Sequence, residues 1–101
     1  NTRFELASIK TEIELNKALV EKYTAKFVSG ELTAEEASIA KLATSEMHCN
    51  VADKCVQLFG GYGYMREYKI SRAYVDARIQ RIYAGTSEIM KEVISRSLVG
   101  R

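Results

Sequence analysis

The sequence contains no proline and no tryptophan, only two cysteines and a single histidine. Without proline, no ring interrupts a helix from within. Cys49 and Cys55 share one segment of helical periodicity, which sets their backbones about 9 Å apart along the axis. That exceeds the reach of a disulfide, so two free, partly buried thiols are expected, suited to a reducing compartment. His48 has only Cys49 beside it as a ligand partner. A surface or capping role is expected for it rather than metal binding. No apolar run approaches the roughly 18 residues that a membrane span needs. No segment alternates as a strand should, and there is no internal repeat or low-complexity tract. A Gly-Lys-Ser/Thr sequence is missing, which excludes a P-loop. Gly60-Gly61-Tyr62-Gly63 is not a dinucleotide fingerprint either. It follows a helical segment rather than a strand, and Arg66 stands three residues after Gly63 where that motif needs glycine. The basic residues are dispersed and follow no nucleic-acid-binding motif.

What is present suits one small domain. The chain has 101 residues and is 47% hydrophobic, enough for one core. Its net charge of +2 is unevenly spread. Residues 1–61 hold seven basic and nine acidic side chains, and residues 62–101 hold eight and four. The second part mildly favours an anionic partner such as a nucleotide cofactor, and a solvated or salt-bridged helix face accounts for the same charge. The chain begins Asn1-Thr2-Arg3, with no Met, no helix start signal and no targeting peptide. Its apolar pattern is already running at Phe4 and Leu6, so residues 1–101 read as a single helical domain belonging to a longer protein.

Periodicity predicts four helices. The first covers about residues 3–29, with a stripe at Leu6, Ile9, Ile13, Val20, Tyr23 and Phe27, broken at Asn16. Its acids (Glu5, Glu12, Glu14) come early and its bases (Lys17, Lys22, Lys26) late, which complements the helix dipole. Gly30 is the expected stop. Thr33 and Glu36 form a capping box that opens a second helix over 34–59. Its buried stripe is expected at Ala37, Ala40, Met47, Val51, Cys55 and Leu58. A glycine- and tyrosine-rich loop follows over 60–70. The third helix is expected to start at the cap Ser71, to face inward through Ala73, Ala77 and the Val75/Ile79/Ile82 row, and to end at the Ala84-Gly85 turn. The fourth covers about Ser87–Val99, with Ile89, Met90, Val93, Ile94 and Leu98 inward and Gly100 after it. Short connections imply an all-α antiparallel four-helix bundle.

Two bends carry the chemical interest. Between the third and fourth helices the chain reads Gln-Arg-Ile-Tyr-Ala-Gly-Thr-Ser-Glu-Ile-Met over residues 80–90. Gly85 allows a tight turn, Thr86 or Ser87 can cap the next helix, and Glu88 puts an acid in its first turn. Such a bend presents free backbone N–H groups to an anionic or oxyanion-bearing ligand, and it is also a common structural turn. After the second helix comes Gln57-Leu58-Phe59-Gly60-Gly61-Tyr62-Gly63-Tyr64. The glycines make either a plain connection or a place where a ligand touches backbone. These stretches, with Asp76-Ala77-Arg78 between them, resemble the C-terminal helical domain of the acyl-CoA dehydrogenases. That family carries Gln-x-x-Gly-Gly-x-Gly-Tyr, then Asp-Ala-Arg, then Ile-Tyr-x-Gly-Thr-x-Glu-Ile, in that order. The likeness runs over the whole chain, most strongly from Cys55 onward, and is greatest to the long-chain subgroup.

The resemblance implies an FAD-dependent enzyme of fatty-acid β-oxidation that converts acyl-CoA thioesters to 2-enoyl products. It implies an electron-transfer flavoprotein-like acceptor and a homo-oligomer, dimer or tetramer, joined through this domain. The compartment would be the bacterial cytoplasm or the mitochondrial matrix. Gln57, Leu58, Phe59, Gly60 and Gly61 would line a flavin nucleotide held mainly by a neighbouring subunit. Thr86, Ser87 and Glu88 would also reach the flavin nucleotide. Ala84 and Gly85 would lie at the substrate, with the Ala84 N–H holding the thioester oxygen. Many members have a Glu base where Ala84 stands. Either the base sits on an earlier helix outside these residues, as in the long-chain and isovaleryl subgroups, or the chain is a divergent homologue acting as a helical interaction module. An acyl-CoA oxidase relative has the same pattern. Tyr64 and Tyr83 are expected to be packing residues with satisfied hydroxyls, and Asp76 and Arg78 to form structural ion pairs.

Overall fold

The computed structural model describes residues 2–100 and holds four helices: α1 (Thr2–Val28), α2 (Ala34–Phe59), α3 (Lys69–Ile79) and α4 (Ser87–Val99). A 3-10 segment, Gly60–Tyr64, joins α2 to α3. No strand occurs among the described residues, so the all-α, four-helix expectation holds. The 27 residues of α1, at about 1.5 Å each, account for most of the 45 Å long axis.

α2 is the hub. α1, α3, α4 and the 3-10 segment each come close to it, and apart from these the 3-10 segment touches α3. α1 runs antiparallel to α2: Lys26 near its end pairs with Glu36 near the start of α2, while Asn50 Nδ2 donates to Glu12 at 3.0 Å. α3 also runs antiparallel. The Tyr68 ring meets Phe59 edge-on at 6.4 Å, and Cys49 Sγ donates to the Ala77 carbonyl at 3.0 Å. Both cysteines are free thiols, as their spacing implied.

The helix ends follow local chemistry. The Thr33–Glu36 capping box is complete: the Glu36 N–H donates to Thr33 Oγ1 and the Thr33 N–H donates to Glu36 Oε1, each at 3.1 Å. Such a cap is worth about 1 kcal/mol. Gly30, at φ +77°, closes α1 where expected, with the Glu31 N–H reaching back to Lys26 O at 2.8 Å. α4 starts with Thr86, whose Oγ1 accepts from the Ile89 N–H at 3.2 Å. α3 differs from expectation at both ends. It begins at Lys69, not Ser71, and Tyr68 precedes it without a side-chain cap. Ser71 lies buried inside the first turn and donates instead to the Tyr64 carbonyl at 3.2 Å. The α-helix ends at Ile79, and loosened turns carry the chain on to Ala84.

The buried line also differs. Among the expected α1 stripe only Ile9 is buried; Leu6, Ile13, Val20 and Phe27 are exposed. In α2 the buried residues are Ser38, Ser45 and Ala52, none of them in the predicted stripe; Ser38 and Ala52 each lie one position along from it. Small side chains are covered because neighbouring helices come close over them. The serines bury cheaply because their hydroxyls bond within the helix, Ser38 to Ala34 O at 2.9 Å and Ser45 to Lys41 O at 2.6 Å. α3 faces inward through its alanines: Ala77 is completely buried while Val75, Ile79 and Ile82 are exposed. In α4, Met90, Val93 and Ile94 are half-buried, but Ile89 and Leu98 face out. Among the described residues no large side chain is wholly enclosed by this chain alone.

Candidate functional site

The first bend grows directly from the end of α2. Gly60 terminates the helix at φ +66°, its N–H bonded to Gln57 O. That conformation favours glycine. Gly63 is buried for a different reason: a Cβ there would lie 2.5 Å from the Val56 carbonyl oxygen. Gly61 has neither constraint. Its φ lies outside the left-handed region, and an added Cβ would meet nothing within 4 Å. Gln57, Leu58, Phe59, Gly60 and Gly61 are all on the surface. Tyr62 packs on Tyr68 at 5.5 Å, which braces the outer side of the bend. A groove of about 300 Å³ opens beside Gln57 and Leu58, with Lys54 and Glu5 on its walls.

The second bend, residues 80–87, is held from behind by α2. His48 Nδ1 and Gln80 Oε1 share a hydrogen bond of 2.8 Å. Glu46 Oε1 accepts from Arg81 Nε at 3.2 Å and from Ser87 Oγ at 2.7 Å. Lys41 Nζ donates to the Gly85 carbonyl at 2.6 Å. The backbone of the bend is unusual. Ala84 has φ +55° and Gly85 φ +107°. A left-handed alanine is strained and must be held by its surroundings. The Ser87 N–H bonds Arg81 O at 3.1 Å, but the N–H groups of Ala84, Gly85 and Thr86 make no hydrogen bond among the described residues.

The expected site residues therefore divide. Ala84 and Glu88 are exposed, and Gly85 and Thr86 are half-buried. Ser87 is 4% exposed, with its hydroxyl committed to Glu46. Within one chain the two bends share no cleft. From Glu46 or Lys41, which hold one bend, to Gly60, which starts the other, α2 advances about 20–28 Å.

Several side roles differ from expectation. His48 is neither a surface residue nor a cap but a half-buried tie between α2 and the second bend. Tyr64 is 85% exposed, and the exposed Tyr83 ring has the Lys41 ammonium 5.9 Å from its centre. Asp76 and Arg78 form no ion pair among the described residues. Arg72, one turn before Asp76, donates to the Arg66 carbonyl instead. Arg78 has no acid at helical spacing and lines a groove of about 640 Å³ between α1, α2 and α3. Asn16, where the α1 stripe breaks, borders that groove with a buried, unpartnered Oδ1. Among the described residues no three His, Cys, Asp or Glu side chains are grouped to hold a metal ion, and no helix is long and apolar enough to cross a membrane. The supporting residues Lys41, Glu46, His48 and Arg81 gave no sequence signal, because each is ordinary until its partner is placed beside it.

Comparison with known proteins agrees with this fold. The family model for the C-terminal domain of acyl-CoA dehydrogenase matches residues 1–99. The mitochondrial long-chain specific acyl-CoA dehydrogenase of Sus scrofa is 50% identical over 95 residues, covering 94% of this chain and 22% of that protein. The caffeyl-CoA reductase–Etf complex subunit CarC of Acetobacterium woodii is 40% identical over 96 residues, covering 95% of this chain and 25% of that protein. The crystal structure of an acyl-CoA dehydrogenase from Geobacillus kaustophilus superposes with a TM-score of 0.92 at 43% identity, over 96% of this chain and 26% of that one. The chain thus spans about a quarter of the length of these relatives. The family-model match over residues 1–99, with these identities over nearly all of this chain, shows that the chain belongs to the acyl-CoA dehydrogenase C-terminal domain family.

Proposed function

We propose that this domain works in an FAD-dependent acyl-CoA dehydrogenase of long-chain type, which oxidises acyl-CoA thioesters to 2-enoyl products. The observation that carries the reading is the Ala84 bend: an exposed left-handed corner with unpaired N–H groups, tied to α2 by Lys41 and Glu46. Donors fixed in place before charge develops stabilise it without reorganisation. The Ala84 N–H is the donor to the thioester oxygen, with Gly85 beside the acyl chain. Ala84 has no carboxylate, so the α-proton goes to a base outside these residues. FAD, when bound, supplies the acceptor for the β-hydrogen.

The residues present fit such a cofactor. Gly61 has no reason within this chain to lack a Cβ, and a flat ligand lying against its backbone supplies one. Gln57 adds an exposed amide with both donor and acceptor. The separation of the bends supports two copies acting together. Gln57, Leu58, Phe59, Gly60 and Gly61 serve one flavin, and Thr86 and Glu88 serve another, with Ser87 anchoring the start of α4 to Glu46. The exposed Phe4, Phe27, Val75 and Leu98 support a homo-oligomer, in which apolar surface is covered by other surfaces. An electron-transfer flavoprotein-like acceptor is supported by the similarity to CarC, named as part of an Etf complex.

The test is anaerobic addition of long-chain acyl-CoA to the whole flavoprotein. Loss of oxidised flavin absorbance is expected, and a loaded protein that no acyl-CoA reduces overturns the reading. Ala84→Glu should change rate and chain-length preference together. If neither moves, Ala84 is not at the reacting centre.

A further inference from the structure

The reading above uses Lys41 only as a tie, and it is the shortest tie to the bend. Its Nζ donates to the Gly85 carbonyl at 2.6 Å and lies 5.9 Å from the centre of the Tyr83 ring. The two contacts bracket Ala84. Lys41 is half-buried and pairs with no carboxylate among the described residues. Its charge is spent on one peptide oxygen and one ring face. A charge-assisted hydrogen bond of this kind is among the stronger ones a peptide oxygen can accept.

The bend needs such a tie. Ala84 and Gly85 are consecutive residues at positive φ, and the N–H groups of residues 84–86 make no hydrogen bond to hold that shape. Glu46 fixes the flanks, at Arg81 and Ser87. Among the described residues, Lys41 makes the only hydrogen bond to the positive-φ pair Ala84–Gly85. A left-handed alanine released from its surroundings relaxes toward negative φ, which turns the peptide that carries the Ala84 N–H.

We infer that Lys41 is a positioning residue: it locks the Gly85 peptide so that the Ala84 N–H stays aimed at one point in front of the bend. The inference rests on the proposed function, in which that point holds the thioester oxygen. Lys41 touches neither substrate nor flavin. It acts through the backbone, so its loss lowers the rate of enolisation more than it weakens binding.

The experiment compares the whole flavoenzyme with Lys41→Met, Lys41→Gln and Lys41→Arg. It follows kcat, KM, flavin content and α-proton exchange in D2O, using an acyl-CoA analogue with sulfur in place of the β-carbon, which cannot be oxidised to the enoyl product. For Lys41→Met, kcat and exchange should fall by about 10–100-fold, as for a misplaced oxyanion donor. KM and flavin content should stay within about twofold. Lys41→Arg, which keeps a charged donor, should recover much of the loss. Lys41→Gln, a shorter neutral donor, should fall between and decides the matter if Lys41→Met does not accumulate. Exchange and kcat within about twofold of wild type in these variants refute the inference. So does a parallel loss of flavin, stability and rate that arginine does not restore, since that marks a purely structural role. The parent reading fails separately: there the unaltered enzyme neither exchanges the α-proton nor reduces its flavin.

Discussion

Gly63 and Gly61 sit two residues apart and should respond to alanine in opposite ways. At Gly63 the new Cβ would lie 2.5 Å from Val56 O and 3.0 Å from both Val56 Cα and Phe59 Cβ. Two of these atoms are helix backbone and cannot rotate away. Restoring ordinary contact lifts the 3-10 segment off the last turn of α2 by roughly 1 Å, and overpacking of this kind costs about 1–3 kcal/mol. The upper end applies, because the same shift strains the Ser71–Tyr64 hydrogen bond and the Tyr62–Tyr68 contact. At Gly61 alanine meets nothing and needs no left-handed φ. It should be neutral, or stabilising by about 0.4–1 kcal/mol through the unfolded chain. Hydrogen exchange of amides 60–72 in the whole protein reads the first effect. Retained flavin reads the second. Gly63→Ala should speed exchange throughout that segment. Gly61→Ala should leave exchange unchanged and reduce flavin retention. Equal protection in wild type and Gly63→Ala would refute the packing argument. Full flavin retention in Gly61→Ala would remove the ligand-contact explanation for that glycine.

Three further perturbations test other parts of the fold. Ala84→Gly trades about 1–2 kcal/mol of left-handed strain for about 0.5–1 kcal/mol of backbone entropy. The melting temperature should therefore rise slightly, and a clear fall would count against the strained conformation. Glu46→Ala strands the buried Ser87 hydroxyl, at about 1–3 kcal/mol. Exchange of amides 81–88 should rise, while Glu46→Gln, which keeps an acceptor, should show less than half the effect. The Glu36 carboxyl is held below its ordinary value of 4.5, first by the hydrogen bond from Lys26 and then by the Thr33 N–H. Donating that bond to Glu36 raises Lys26 above its ordinary 10.5. A lowered acid contributes stability above its unfolded value and loses it as pH falls through the folded one. A raised base contributes below its unfolded value and loses it as pH climbs through the folded one. The pair therefore stabilises between about pH 4.5 and 10.5. Glu36→Gln keeps the capping box and should flatten the acid limb of the thermal-stability profile; an unchanged limb would show that Glu36 does not set it.

The sequence signals that held are those whose cause is local. The Thr33–Glu36 box, the Thr86 cap and the Gly30 stop each depend on atoms within a few residues, and all stand as read. The bends were legible for the same reason, since glycine tolerates what other residues do not. The buried faces were less legible. Apolar periodicity marks residues that avoid water somewhere, whereas Ser38, Ser45 and Ala52 are buried because helices approach them closely. Periodicity cannot say which surface does the covering. The ties that fasten the second bend were illegible because they link residues 32 to 44 apart, such as His48 with Gln80 and Lys41 with Gly85.

These observations give α2 two tasks. It spaces the bends: one begins where the helix ends, and the other is pinned to its middle by Lys41, Glu46 and His48. It also sets how closely the other helices approach, through its small buried residues. A continuous helix does both well, because its pitch fixes distance and the direction of every side chain at once. The outer helices then need only follow it, and their remaining apolar residues are free to meet other surfaces. That is why the interior of this chain looks thin while its bends are held firmly: rigidity is concentrated where backbone groups must be aimed, and apolar area is left where other surfaces attach.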